Sequence, residues 1–335
     1  YCNCIQSGPA GGPGDYTLSS TTNGNARGNN RSVTETDKGA FLMSDFSHEL
    51  FGLPIRGNFG ARYVQTRQVA KGYQAAGGGT EVTVENSYND WLPSANLVVN
   101  VTRDFIVRLA AAKVMARPQL GNLSPGGSII TTGTLSITSG NPFLKPMEAW
   151  NYDLSLEYYF DESDFVAFGF FYKDIKDFFS NNTVETPVTN NGVTQLVDID
   201  QPINIGEASI SGFEFSYQQF FDELPGIWSG LGMQFNYTYL DPSEVPQQNL
   251  RPVQSGSQDD ANRASIPFDN LPLQGLSENQ YNLVGIFQNE NWEVRLAYNW
   301  RDDYLLTIRE VNIGLPTFVQ DYGQLDGSVF YRIND

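Results

Sequence analysis

The sequence predicts an all-β chain, a transmembrane antiparallel up-and-down β-barrel seen here as about 11 strands of a larger closed structure. Three observations predict it. Apolar and polar residues alternate with period 2 in segment after segment. The links between segments are alternately short and long. Tryptophans sit on the apolar faces at the segment ends, where a membrane barrel carries its aromatic rims.

The strand-like segments lie near residues 39–49, 57–72, 81–101, 104–116, 150–160, 164–177, 208–220, 230–240, 275–288, 291–304 and 322–333. Short links fall at 51–56, 102–103, 161–163, 221–229 and 289–290. Long ones fall at 72–80, 117–149, 178–206, 240–274 and 305–321. Ser124-Pro125-Gly126-Gly127, Asn190-Asn191-Gly192 and Gln254-Ser255-Gly256-Ser257 give the long links the turn composition of exposed loops. Residues 1–39, rich in Gly, Asn and Ser, read as one more extracellular loop, and 40–335 as barrel wall.

Alternation inside the strands sorts the faces. Trp150, Tyr152, Leu154, Leu156, Tyr158 and Phe160 oppose Asn151, Asp153, Ser155 and Glu157. Trp292, Val294, Leu296, Tyr298 and Trp300 oppose Glu293, Arg295, Asn299 and Arg301. A soluble β-sandwich would alternate in the same way with its apolar face inward. Two details favour lipid. Trp91, Trp150 and Trp300 lie at the long-link ends and Trp292 at a short-turn end. From Trp292 to Trp300 a tilted strand rises roughly 20 Å, close to the apolar band of such barrels. Links of this length are also unusual in compact soluble domains.

Composition narrows the function. Twenty Lys and Arg against 38 Asp and Glu leave a net charge of −18, which phosphate backbones would repel, so no nucleic-acid partner is expected. No run approaches the ~18–20 apolar residues of a transmembrane helix, and barrel strands leave only a weak hydropathy signal. Tyr1 opens without a secretion signal and Asp335 follows directly on a strand, so the polypeptide is expected to continue in both directions. Cys2 and Cys4 could pair with each other or outside this chain. With His48 the sole histidine, no metal site or cofactor is expected.

Enzyme signatures are absent. Ser47 and His48 are strand neighbours and face opposite sides, which denies them a nucleophile–base geometry. Gly77-Gly78-Gly79 and Gly126-Gly127 lack the strand–helix context of phosphate loops. Asp198, Asp200, Asp259 and Asp260 lack the spaced oxygen set calcium requires and read as solvated loop charges. The polar faces are the better candidates: Asp153, Glu157, Glu214, Gln218, Glu293, Arg295, Asn299 and Arg301 read as a hydrated inner wall. Asp153 and Arg301 are placed high on their strands as substrate contacts. Tyr73, Phe143, Tyr304 and Phe318 are loop aromatics able to stack on a sugar ring or clasp an apolar ligand.

One further pattern runs along the chain. Leu92-Pro93-Ser94-Ala95-Asn96-Leu97, Arg108-Leu109-Ala110-Ala111-Ala112-Lys113, Ala116-Arg117-Pro118-Gln119-Leu120 and Leu123-Ser124-Pro125 follow one another in order. Then come Gly140-Asn141-Pro142-Phe143-Leu144-Lys145-Pro146, Asn151-Tyr152-Asp153-Leu154-Ser155-Leu156-Glu157 and Phe171-Tyr172-Lys173-Asp174-Ile175. Gly212-Phe213-Glu214, Asn236-Tyr237-Thr238-Tyr239 and Asp321-Tyr322-Gly323-Gln324-Leu325-Asp326 complete the series. Over residues 40–335 this resembles the barrel of TonB-dependent receptors, especially the branch abundant in Xanthomonas- and Caulobacter-like bacteria; residues 1–39 carry no resemblance.

The resemblance implies a barrel of about 22 strands closed by an N-terminal plug. The plug, the TonB-contacting segment and the closing strand are not among these residues. It implies the bacterial outer membrane, with lipid around the wall, long loops extracellular and the TonB complex engaged through the plug. The implied function is TonB-coupled uptake of a bulky nutrient, an oligosaccharide first and a ferric siderophore second. An acidic wall suits neutral or cationic cargo better than polyanions. An adhesion barrel anchoring surface loops to an external partner, and a passive porin, are the alternatives. An 11-strand sheet by itself would leave two open edges.

Overall fold

The computed structural model describes residues 30–74, 80–130, 136–190, 193–242, 245–246, 270–307 and 316–333. Its strands are β1 (Ser32–Leu50), β2 (Leu53–Gln74), β3 (Thr80–Asn100), β4 (Phe105–Ala116), β5 (Gly127–Ile130), β6 (Ser136–Ser139), β7 (Met147–Tyr159), β8 (Phe165–Asn190) and β9 (Val193–Phe220). They continue with β10 (Leu231–Pro242), β11 (Val245–Pro246), β12 (Asn270–Leu271), β13 (Asn279–Gln288), β14 (Trp292–Arg301), β15 (Tyr304–Thr307), β16 (Thr317–Val319) and β17 (Tyr322–Tyr331). Among the described residues no helix is long and apolar enough to cross a membrane.

One sheet runs β1-β2-β3-β4-β7-β8-β9-β10-β13-β14-β17, each strand antiparallel to the next in sequence order along that path. These eleven strands correspond one to one with the segments expected from the sequence. Among the described residues β1 and β17 each pair on one side only, so the wall is open at both edges.

Short turns have local causes. Leu50 pairs with Leu53 across Phe51 and Gly52, both at positive φ (52° and 80°), which is the two-residue hairpin that suits twisted strands. The Thr102 hydroxyl accepts hydrogen bonds from the backbone N–H of Asp104 (3.2 Å) and Phe105 (2.9 Å). The Asn289 side chain does the same for Asn291 (2.9 Å) and Trp292 (2.8 Å).

Several links expected to be loops are structured. The 178–206 link is mostly a continuation of β8 and β9, paired from Phe178–Gly206 to Asn190–Val193. Its Thr and Val residues favour strand, so the pairing runs out to Asn190 and Val193. β1 begins at Ser32 rather than near 39, because β2 extends to Gln74 and gives it a partner. The 117–149 link forms a strap: a short 3₁₀ turn at Leu120–Leu123, then the β5–β6 pair, with β6 parallel to β9 at Ser136–Asp198 and Thr138–Asp200. Asp198 and Asp200 therefore stand in a strand, and Asp198 is buried rather than solvated.

Among the described residues nothing packs on the apolar face. Leu296 is 54% exposed and Leu325 69%, and Phe168, Phe170, Leu283 and Val329 are open as well. A sandwich would bury these side chains. Aromatic pairs bound the band. At the long-link end Tyr63 meets Trp91 (centroids 5.0 Å), Trp150 meets Tyr152 (6.0 Å) and Tyr281 stacks on Trp300 (5.3 Å). At the short-turn end Trp292 meets Tyr331 (4.6 Å) and Tyr158 meets Phe160 (5.8 Å). An exposed, unpartnered apolar band between aromatic rims is the surface a membrane barrel gives to lipid.

Candidate functional site

The opposite face is the inner wall. Cross-strand register places Arg108, Ser155, Gly169 and Glu214 in one row, and Ala110, Asp153, Phe171 and Gly212 in the next row up. Lower down, Glu157 accepts hydrogen bonds from Arg108 (2.8 Å), Ser155 (2.9 Å) and Tyr159 (3.0 Å). The Gln234 amide donates to Gln218 at 2.8 Å, the Asn96 amide to Asn58 at 2.8 Å, and Asn282 to Asn299. This part of the wall is polar, with Arg108 and Glu157 as its ion pair, as a wet lumen requires.

Above it lies an arginine cluster that sequence reasoning missed. The Arg117 guanidinium donates to Glu35 and Asp37 at 2.8 Å each and to Thr66 at 3.3 Å. Thr66 also donates to Asp37 (2.7 Å), and Gln68 donates to Glu35 (2.9 Å). Burial works against the Arg117 charge, but Glu35 and Asp37 outweigh it and hold its pKa above the ordinary arginine value. Because Glu35 and Asp37 are on β1, Thr66 and Gln68 on β2 and Arg117 begins the strap, the cluster ties the strap to the wall. The alternation of Glu35 with Asp37 and of Thr66 with Gln68 was a signal for it, polar residues two apart sharing a face.

The six candidate contacts divide. Arg301 and Tyr304 come together at one corner of the wall, and Phe318 lies on β16, across the hairpin from β15. The Arg301 guanidinium lies over the Tyr304 ring at 4.0 Å and donates to the Ser277 hydroxyl (2.9 Å). Phe318 pairs with Leu305 in the β15–β16 hairpin. Arg301 is thus occupied in holding the corner.

The other three stand apart. Asp153 is on the inner face but midway along β7, not high on it, because β7 starts at Met147. Tyr73 is near the top of β2, opposite Glu81. Phe143 lies in the strap with its side chain 65% exposed.

Of the aspartates considered for calcium, Asp259 and Asp260 lie outside the described residues, as do Cys2, Cys4 and Gly77–Gly79. Among the described residues no group of His, Cys, Asp and Glu could hold a metal ion.

The uppermost inner wall is different. Val114, Ala149, Ile175 and Ala208 are in register across four neighbouring strands, so one complete row is apolar. Ala208 and Leu273 are buried there against Ile175, Phe178, Ile205, Ile210 and Leu276. Phe178 reaches this group through an irregularity in β8. Pairing slips between Ile175 and Phe178, with Asp177 at φ 54° and Gly206 at φ 142°. A slip of this kind re-aims side chains that strict alternation would send outward.

The sequence profile described as TonB dependent receptor-like, beta-barrel matches residues 7–335, including most of the segment for which the sequence itself suggested no resemblance. No curated protein matches. Among solved structures, the chain is similar to the siderophore receptor PirA from Acinetobacter baumannii, at 16% identity and a TM-score of 0.53, over 90% of this chain and 49% of that one. It is also similar to the ferric enterobactin receptor PfeA from Pseudomonas aeruginosa, at 15% identity and a TM-score of 0.57, over 90% and 47%. The ferric yersiniabactin uptake receptor FyuA from Yersinia pestis matches at 15% and 0.53, over 89% and 39%. The chain spans about half the length of these structures, or less.

Proposed function

The chain belongs to the TonB-dependent receptor β-barrel family, and we propose that it is part of the wall of an outer-membrane receptor that imports a bulky solute with energy delivered through TonB. The observation that carries this is the two-faced wall: an apolar outer band between aromatic rims, and a polar, hydrogen-bonded inner face below the mouth. The long links then lie outside the cell and the short turns in the periplasm. The solved neighbours are receptors for ferric siderophores, which favours the second of the two cargo classes suggested by the sequence.

TonB couples through a plug, so the test uses the full-length receptor. Cells expressing it should accumulate the cargo, and accumulation should stop when the proton-motive force is dissipated or TonB is deleted. Uptake that continues undiminished in de-energised cells would mark a passive pore and sink the reading.

A further inference from the structure

The inner wall changes chemistry with height. The row Arg108–Ser155–Gly169–Glu214 is polar, whereas the row Val114–Ala149–Ile175–Ala208, three rows nearer the mouth on the same face, is wholly apolar. Leu273 covers the Ala208 end of this row, but Val114 stays exposed and Ala149 and Ile175 stay partly open, and apolar surface left open in a wet channel is unfavourable.

Above this row lies a cavity of about 730 Å³. Val114, Ala149, Ile175 and Ile210 form its floor on the barrel wall, Phe178 enters from the slipped part of β8, and Leu273 closes it from the segment before β13. The size is that of a pocket for a ring-bearing small molecule.

The electrostatics select among ligands. Among the described residues no Lys, Arg or His lines the cavity, and Glu148, the ionisable residue among those lining it, is paired with Lys113 at 2.8 Å. The nearby Lys145 and Lys176 are engaged by Asp177 and Glu207, each at 3.8 Å. An anion placed here would lose its hydration and meet, among the described residues, only cations that already have a carboxylate beside them.

We infer that this cavity is the docking site for an uncharged, predominantly apolar face of the imported solute. The inference rests on the uptake reading and narrows it, by turning the receptor away from polyanionic chelates.

The test uses two ferric complexes with three aromatic rings each: the neutral tris(benzohydroxamate) and the trianionic tris(catecholate). Binding to the full-length receptor in lipid nanodiscs is followed by quenching of protein fluorescence. The neutral complex should bind at least tenfold more tightly. Ile210→Glu should weaken it tenfold or more, and Ala149→Phe, which fills the cavity without adding charge, should do the same in a receptor whose core chemistry is otherwise kept. Equal or tighter binding of the trianion overturns the inference, and so does wild-type affinity in both variants. Energy dependence is read separately. If uptake still stops on de-energising while the neutral complex fails to bind, the cavity assignment is wrong and the uptake reading stands. If the neutral complex binds as expected but uptake ignores the proton-motive force, the uptake reading is wrong and the cavity assignment stands.

Discussion

Gly72 on β2 lies against Gly126 in the strap so closely that a Cβ on Gly72 would sit 2.6 Å from the Gly126 backbone nitrogen. The strap therefore rests on the inner face of β2 backbone to backbone, at a spot where only glycine fits. Gly72→Val should push it off, at a cost of about 1–3 kcal/mol for the overpacking. Phe143 sits in an exposed part of the same strap, so chymotrypsin cleavage after Phe143 should accelerate several-fold in the variant. Unchanged cleavage would mean that the strap is not seated as described.

The Arg117 cluster is the other anchor of that strap. Arg117→Met would leave Glu35 and Asp37 facing each other without their cation, and is expected to destabilise the outer part of the wall by about 1–3 kcal/mol. Arg117→Lys should recover only part, since an ammonium lacks the fork that reaches Glu35, Asp37 and Thr66 together. Thermal unfolding in detergent measures both. A double-mutant cycle of Arg117→Met with Glu35→Gln should be clearly non-additive, and additivity would argue against a shared network.

Leu296 and Ala297 test which face meets lipid. Leu296 points outward between Gly285 and Gly327, about midway between Trp292 and Trp300, while Ala297 faces inward beside Val284 and Asp326. Leu296→Arg should cost about 2–4 kcal/mol at that depth, and Ala297→Arg should be tolerated, with Asp326 as an adjacent partner. The readout is the fraction of protein that migrates as the compact, heat-sensitive form in gels. The assignment is wrong if Leu296→Arg assembles normally while Ala297→Arg does not, or if the wild type stays dispersed without detergent or lipid.

Gly206 tests the slip in β8–β9. At φ 142° a side chain is strained although nothing lies within 4 Å of its Cβ, so Gly206→Val should cost about 1–3 kcal/mol through the backbone alone. The strain is relieved if the pairing shifts, which would draw Phe178 out of the cavity. Affinity for the neutral ferric complex should then fall while the lower wall, reported by thermal unfolding, changes little. Unaltered affinity would show that the slip does not set the cavity.

Much of the wall was legible before any coordinates. Trp150 to Phe160 and Trp292 to Trp300 alternate so cleanly that their faces, neighbours and rims follow from period 2 alone. The expectation failed where polar composition was taken for a loop, at Thr183–Asp200 and at Ser32–Lys38, because Thr and Val pair as readily in a solvent-exposed hairpin as in a membrane band. Asp153 was set too high for the same reason, β7 being longer at its outer end than the apolar pattern showed.

The residues by themselves determine the eleven strands of the wall, their order, and which side of each is apolar, since alternation and link length are properties of a local stretch of chain. Only the tertiary structure decides that Val114, Ala149, Ile175 and Ala208 fall in one row, that Arg117 reaches two strands distant in sequence, and that Phe178 turns inward. Each of these depends on cross-strand register, and register is set jointly by residues as far apart in the chain as Phe105 and Tyr158, with a single slip enough to send a side chain to the other face.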